Sequence, residues 1–132
     1  MSPEIGPEID HIFPLLLRDG KSVFYESFRK MIFVNGNPVQ SLSERHDLIF
    51  GYLVRNPNLL LPRSFFFHMM HPSDNLKETP RFVISQTLNP VIYELKKRLG
   101  LVDPILPKTI KTYLNRGLIY IPDESTGMWR RN

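Results

Sequence analysis

The 132-residue chain contains no cysteine. That absence removes disulfides, thiolate nucleophiles and cysteine-ligated zinc together, and argues against a disulfide-stapled secreted scaffold. Long apolar runs are missing too. Residues 59–61 and 65–67 are separated by Pro62, Arg63 and Ser64, well short of the roughly 20 apolar residues that cross a bilayer. The first residues, with Glu4, Glu8 and Asp10, lack the basic start and apolar stretch of a signal peptide. The expectation is an intracellular protein, cytoplasmic or nuclear, not secreted and with no membrane partner. The 7 glycines are scattered. None builds the Gly-x-Gly-x-x-Gly or Gly-Lys-Ser arrangements that cradle phosphate, and no Gly-x-Ser-x-Gly elbow presents a nucleophile.

With 42% apolar and 23% charged residues, the composition is that of a globular domain and not of a disordered chain. At this length one domain with its own core is expected. The net charge of +4 is unevenly placed: residues 1–75 hold 7 Lys and Arg against 8 Asp and Glu, whereas residues 76–132 hold 10 against 5. The domain thus divides into a near-neutral N-terminal part and a basic C-terminal part, and such an asymmetry suits a phosphate-binding face.

Twelve prolines predict short helices, since proline breaks helix interiors. Residues 8–18 read as a helix with Ile9, Ile12, Phe13, Leu16 and Leu17 on one side. Residues 21–34 read as another, with Phe24, Phe28, Met31 and Ile32 at helical spacing and Asn35-Gly36 as its stop. A hairpin turning at Asn35-Gly36, with residues 31–34 as one strand and those after Asn37 as the other, is the alternative. Ser41 and Glu44 have the spacing of a capping box and predict a helix over 42–55, with Leu42, Leu48, Ile49, Tyr52 and Leu53 inward and Asn56-Pro57 as its end. Residues 62–71 predict a short helix. Thr79 as N-cap and Pro80 at the first position open another, which Asn89-Pro90 kinks or stops. Residues 90–99 then carry Val91, Ile92, Leu95 and Leu99 on one side, closed by Gly100. The fold class expected from these elements is mainly α.

From Val91 onward the chain resembles the winged helix-turn-helix superfamily. Leu99-Gly100-Leu101 stands where a helix ends before the turn, residues 108–116 where the second helix presents its polar side to nucleic acid, and Gly117-Leu118-Ile119 where the chain enters the β-hairpin called the wing. The connection from Gly100 to Pro107 departs from the pattern, being longer than the usual turn of three or four residues. The resemblance implies a small helical domain with a C-terminal winged-helix unit over residues 91–131 and a hairpin of residues 118–122 and 127–131. Within 108–116, Ile110, Tyr113 and Leu114 would face inward. Lys108, Lys111, Thr112 and Asn115 would share the outer face, where ammonium groups neutralise phosphates and amide or hydroxyl groups address bases. Arg116, and Arg130 and Arg131 beyond the wing, would add phosphate contacts.

The remaining chemistry-bearing residues have structural readings. His68 and His71, one helical turn apart, could bind a metal with His11 or His46, but no carboxylate lies within the motif to complete it. Glu44, His46 and Asp47 sit at a helix start, where acidic residues complement the dipole. Trp129 is expected to pack on the wing. No enzyme, cofactor or metal is expected. The sequence predicts a non-catalytic binder of DNA or RNA; the alternative is a structural or interaction subunit using Phe65, Phe66, Phe67, Met69 and Met70 as a surface for a protein partner or a second copy.

Overall fold

Two dipeptides dictate the first third of the molecule. In the computed structural model, which describes residues 11–72, 79–113 and 116–127, Asp19 and Gly20 have φ of 57° and 70°, and Asn35 and Gly36 have φ of 50° and 86°. Positive φ at both central positions is the type I′ turn that joins two twisted strands. The flanking segments accordingly pair as β1 (Ile12–Arg18), β2 (Lys21–Glu26), β3 (Met31–Val34) and β4 (Asn37–Ser41), an antiparallel sheet in sequence order. Pro14 and Pro38 fall on β1 and β4, the two edges, where the missing amide costs no inner ladder bond. A bulge between Pro14 and Leu16 lets consecutive Leu15 and Leu16 both be buried. Elsewhere the pleat alternates, sending Val23, Tyr25 and Ile32 into the core.

This sheet overturns the mainly α expectation: among the described residues six strands accompany three helices, and the protein is mixed α/β. Of the helices expected at 8–18 and 21–34, residues 12–18, 21–26 and 31–34 are strands, and Ile9 lies outside the described residues. Their apparent stripe fails at Phe28, which lies in the β2–β3 turn and is 75% exposed. The alternative hairpin at Asn35-Gly36 is the arrangement present.

α1 (Glu44–Arg55) follows. Its N-cap is Ser43, whose Oγ accepts from the His46 amide at 3.2 Å. Ser41, expected in that role, ends β4 instead. α2 (Arg63–Met70) occupies the stretch expected to be a short helix. α3 (Arg81–Val102) starts one residue later than expected, with Pro80 as N-cap, and runs unbroken through Pro90 to Val102. A proline inside a helix costs about 3 kcal/mol. Burial of Leu88, Val91, Ile92, Leu95 and Leu99 around it contributes about 1.5–3 kcal/mol per side chain, so the helix continues.

A 3₁₀ turn (Leu106–Thr109) leads to β5 (Ile110–Tyr113), which pairs antiparallel with β6 (Gly117–Tyr120); a second 3₁₀ turn (Glu124–Thr126) follows. The helix expected over 108–116 is therefore absent. Of its proposed inner residues Ile110 is buried, Tyr113 is 45% exposed, and Leu114 lies outside the described residues. Residues 128–131 of the expected second wing strand lie outside the described residues. A hairpin is formed by β5 and β6, and β6 has a partner on each side, β5 on one and Leu61 on the other. Leu118 and Tyr120 are thereby buried.

The layers meet at an aromatic chain. Tyr25 of β2 packs edge-on against Phe50 of α1 with ring centroids 5.0 Å apart, and Phe50 against Tyr120 of β6 at 6.2 Å. α3 packs on both other helices and touches β4. The final 3₁₀ turn closes the free edge of β1, where the Leu17 amide donates to Ser125 Oγ at 3.0 Å and Arg18 pairs with Asp123 at 2.8 Å.

Candidate nucleic-acid interface

Helix N-termini expose amides that lack intrahelical partners and carry the positive end of the dipole. α2 and α3 both begin after a proline with no side-chain cap, and neither has an acidic residue in its first turn. The two starts converge on a pocket of about 170 Å³ lined by Pro62, Arg63, Ser64, Arg81, Ile84, Ser85 and Arg116. Three guanidiniums and two hydroxyls thus surround two dipole ends, with no carboxylate in the lining among the described residues. Arg63 is positioned by its Nη1, which donates to the Tyr113 carbonyl at 3.0 Å, while its buried Nε has no partner among the described residues. Such a concavity attracts an anion.

A second cationic cluster lies further along α3. Lys96, Lys108 and Lys111 line one open groove of about 460 Å³ together with Thr112 and Tyr113. Burial, and then the neighbouring Lys111 ammonium, pulls the Lys96 pKa below its ordinary value. A phosphate between the two lysines would relieve that repulsion. Arg81 and Lys96 are fifteen positions apart on one helix, about 22 Å at 1.5 Å per residue.

Between these clusters α3 offers an uncharged face. Phe82, Gln86, Asn89 and Tyr93 are exposed, at i, i+4, i+7 and i+11, and so form a single stripe. Phe82 is 63% and Tyr93 69% exposed, large values for aromatic side chains on a helix whose opposite side is core. Ser85 and Lys96 fall on the flank of this stripe nearest the hairpin.

The residues singled out by sequence divide as follows. Lys108 is exposed in the 3₁₀ turn, Lys111 and Thr112 are exposed on β5, and Arg116 is exposed next to Gly117. All four lie beside α3, though not on a helix of their own. Asn115, Trp129, Arg130 and Arg131 lie outside the described residues. Among the alternative partner-binding residues, Phe66 and Phe67 are buried. Phe65 is half-buried with its ring 5.1 Å from Tyr52, and Met70 packs against the core. Met69 and Met70 border a groove of about 550 Å³ between α1 and α2, shared with Lys30, Glu44, Arg45, Asp47, Leu48, Tyr52 and Arg55. Its charges are of both signs and select no ligand. His11 packs on Phe28 and His71 on Phe67, His46 is buried and His68 exposed. No group of three His, Asp or Glu comes together among the described residues.

Sequence reasoning missed Arg63, Arg81, Phe82, Gln86, Asn89 and Tyr93. The available signal was the uncharged stretch 82–93, in which polar residues appear at helical spacing, preceded by Arg81. Among the described residues no helix is long and apolar enough to cross a membrane. No protein-family model matches the chain, and no curated protein is significantly similar to it.

Proposed function

We propose that the protein binds duplex DNA, with α3 as the reading helix, the β5–β6 hairpin beside it, and no catalytic step. The observation that carries this reading is the uncharged, exposed stripe of α3 flanked on its hairpin side by two cationic clusters, one built from Arg63, Arg81 and Arg116 and the other from Lys96, Lys108 and Lys111. Phosphates fix register and orientation, and base edges are read by side chains that enter a groove. The clusters suit the first task and the stripe the second.

A duplex of B-form DNA fits better than RNA. A major groove about 12 Å wide admits an α-helix, whereas the deep, narrow major groove of A-form RNA does not. In helix-turn-helix proteins the second helix enters the groove by its N-terminal residues while the first crosses the backbone. The N-terminal half of α3 and the start of α2 meet at the arginine pocket, which sets phosphate-binding groups beside the first turns of the reading helix. The alternative of an aromatic docking surface has little to act with, because Phe66 and Phe67 belong to the core.

Fluorescence anisotropy with a labelled duplex tests the reading. Six engaged cations give a slope of log affinity against log salt of roughly −5. Binding at about 50 mM salt that collapses by 200 mM is expected. No binding to duplex at about 50 mM salt, or equal preference for a double-stranded RNA of the same length, would overturn it.

A further inference from the structure

Residues 82–93 of α3 contain no Lys, Arg, Asp or Glu, and the side chains they leave exposed between the two clusters are Phe82, Gln86, Asn89, Pro90 and Tyr93. We infer that Gln86 and Asn89 make the protein selective for A·T base pairs in the major groove, with Phe82 reinforcing the choice through thymine methyl groups. The inference rests on the DNA-binding reading above.

The argument is one of matched and missing chemistry. A side-chain amide offers one donor and one acceptor in a plane, which complements the N7 acceptor and N6 donor of adenine in a bidentate pair. Guanine presents two acceptors, N7 and O6, and its usual partners are the guanidinium of Arg or the ammonium of Lys. Cytosine presents a donor amine, whose usual partner is a carboxylate. The reading face of α3 has two amides, one turn apart at i and i+3, and no member of the other two classes. The thymine C5 methyl, absent from cytosine, is an apolar patch for which an aromatic edge such as Phe82 is suited. The cations of the arginine pocket and the lysine groove stand at the margins of this face, where they would meet phosphates common to every sequence. Affinity and selectivity are thus carried by different residues on one helix.

The expected size follows from the value of a bidentate pair, roughly 5- to 150-fold in affinity per position. Two pools of duplexes with identical ends, one with a ten-pair centre drawn only from A·T and the other only from G·C, are compared with the full chain by anisotropy at about 50 mM salt. At least a 5-fold preference for the A·T pool is expected. A double variant, Gln86→Ala and Asn89→Ala, should lose most of the difference between the pools; both positions are exposed, and circular dichroism checks that α3 persists. An A·T pool made with 7-deazaadenine, which lacks the N7 acceptor, should lose most of its advantage over the G·C pool. Equal binding of both pools by the native chain overturns the inference and leaves the DNA-binding reading intact. A preference undiminished by 7-deazaadenine or by the double variant also overturns it, because groove shape and not the amides would then be read. Binding to neither pool defeats both readings together.

Discussion

Gly117 stands with its Cα against the carbonyl of Leu61, so close that a Cβ on Gly117 would lie 2.1 Å from that oxygen. The approach is produced by the reciprocal backbone hydrogen bonds of the next residue, Leu61 N to Leu118 O at 2.8 Å and Leu118 N to Leu61 O at 2.9 Å. Gly117 also has φ of 147°, a conformation that side-chain-bearing residues rarely adopt. The start of α2, which carries Arg63, is thereby tied to the strand following Arg116. Gly117→Ala should destabilise the fold by roughly 3 kcal/mol, combining backbone strain with the clash. Chemical denaturation measures this; a loss below about 1 kcal/mol would show that the contact is not needed.

Tyr25 joins the sheet to α1. It is fully buried, and its hydroxyl donates to Asp47 Oδ1. Burial, then the bond to Asp47 and the charge of that carboxylate, pushes the phenol far above its ordinary pKa, so it stays protonated as the donor. Tyr25→Phe removes the donor and keeps the ring against Phe50. A loss of about 1.5–3 kcal/mol is expected for a hydrogen bond to a charged group. An unchanged urea midpoint would show that the bond contributes nothing net.

Much of this fold was legible at the level of single elements and illegible at the level of their type. Asp19-Gly20 and Asn35-Gly36 are equivalent hairpin signals, but the spacing of Phe24, Phe28, Met31 and Ile32 also satisfies a helical period. Only the exposure of Phe28 separates the two readings, and exposure is a tertiary fact. Pro90 reads locally as a break, and its cost is offset by core side chains whose partners lie in α1 and α2. The basic C-terminal half and Lys108, Lys111, Thr112 and Arg116 were visible in sequence. The arginine pocket was not, since Arg63, Arg81 and Arg116 are brought together by the packing of α2 on α3 and by the Leu61–Leu118 bridge.

His46 makes the stability of the fold depend on pH. Its imidazole is buried at the start of α1, and Nδ1 has no partner among the described residues. Burial, followed by the charge of Arg98, lowers its pKa, Arg45 adds to this and Glu94 opposes it. The folded pKa therefore lies below the unfolded value of about 6.5. The neutral form is the folded one, so its stability is fully present above the unfolded pKa and is lost as pH falls from there through the folded pKa. Urea midpoints at pH 7.5 and 5.5 should differ, and His46→Leu should shrink the difference. An undiminished difference in the variant would assign the effect to other groups.

The cationic clusters make a quantitative statement about salt. Arg81→Ala and Arg116→Ala should each reduce the salt slope of duplex binding by about 1. Arg29→Ala removes a cation paired with Glu26 at 2.7 Å beside the β2–β3 turn and should leave the slope unchanged. Equal effects at all three positions would mean that overall charge, and not the placement of the clusters, governs binding.

The face used for DNA is best tested by following backbone amide resonances of the full chain as an unlabelled duplex is added. Shifts should concentrate in the first half of α3, from Arg81 to Tyr93, and at Lys96, Lys111, Thr112 and Arg116, with β2 and β3 undisturbed. Shifts centred on the four-stranded sheet, or an unchanged spectrum in the presence of excess duplex at low salt, would contradict the assignment of α3 as the reading helix.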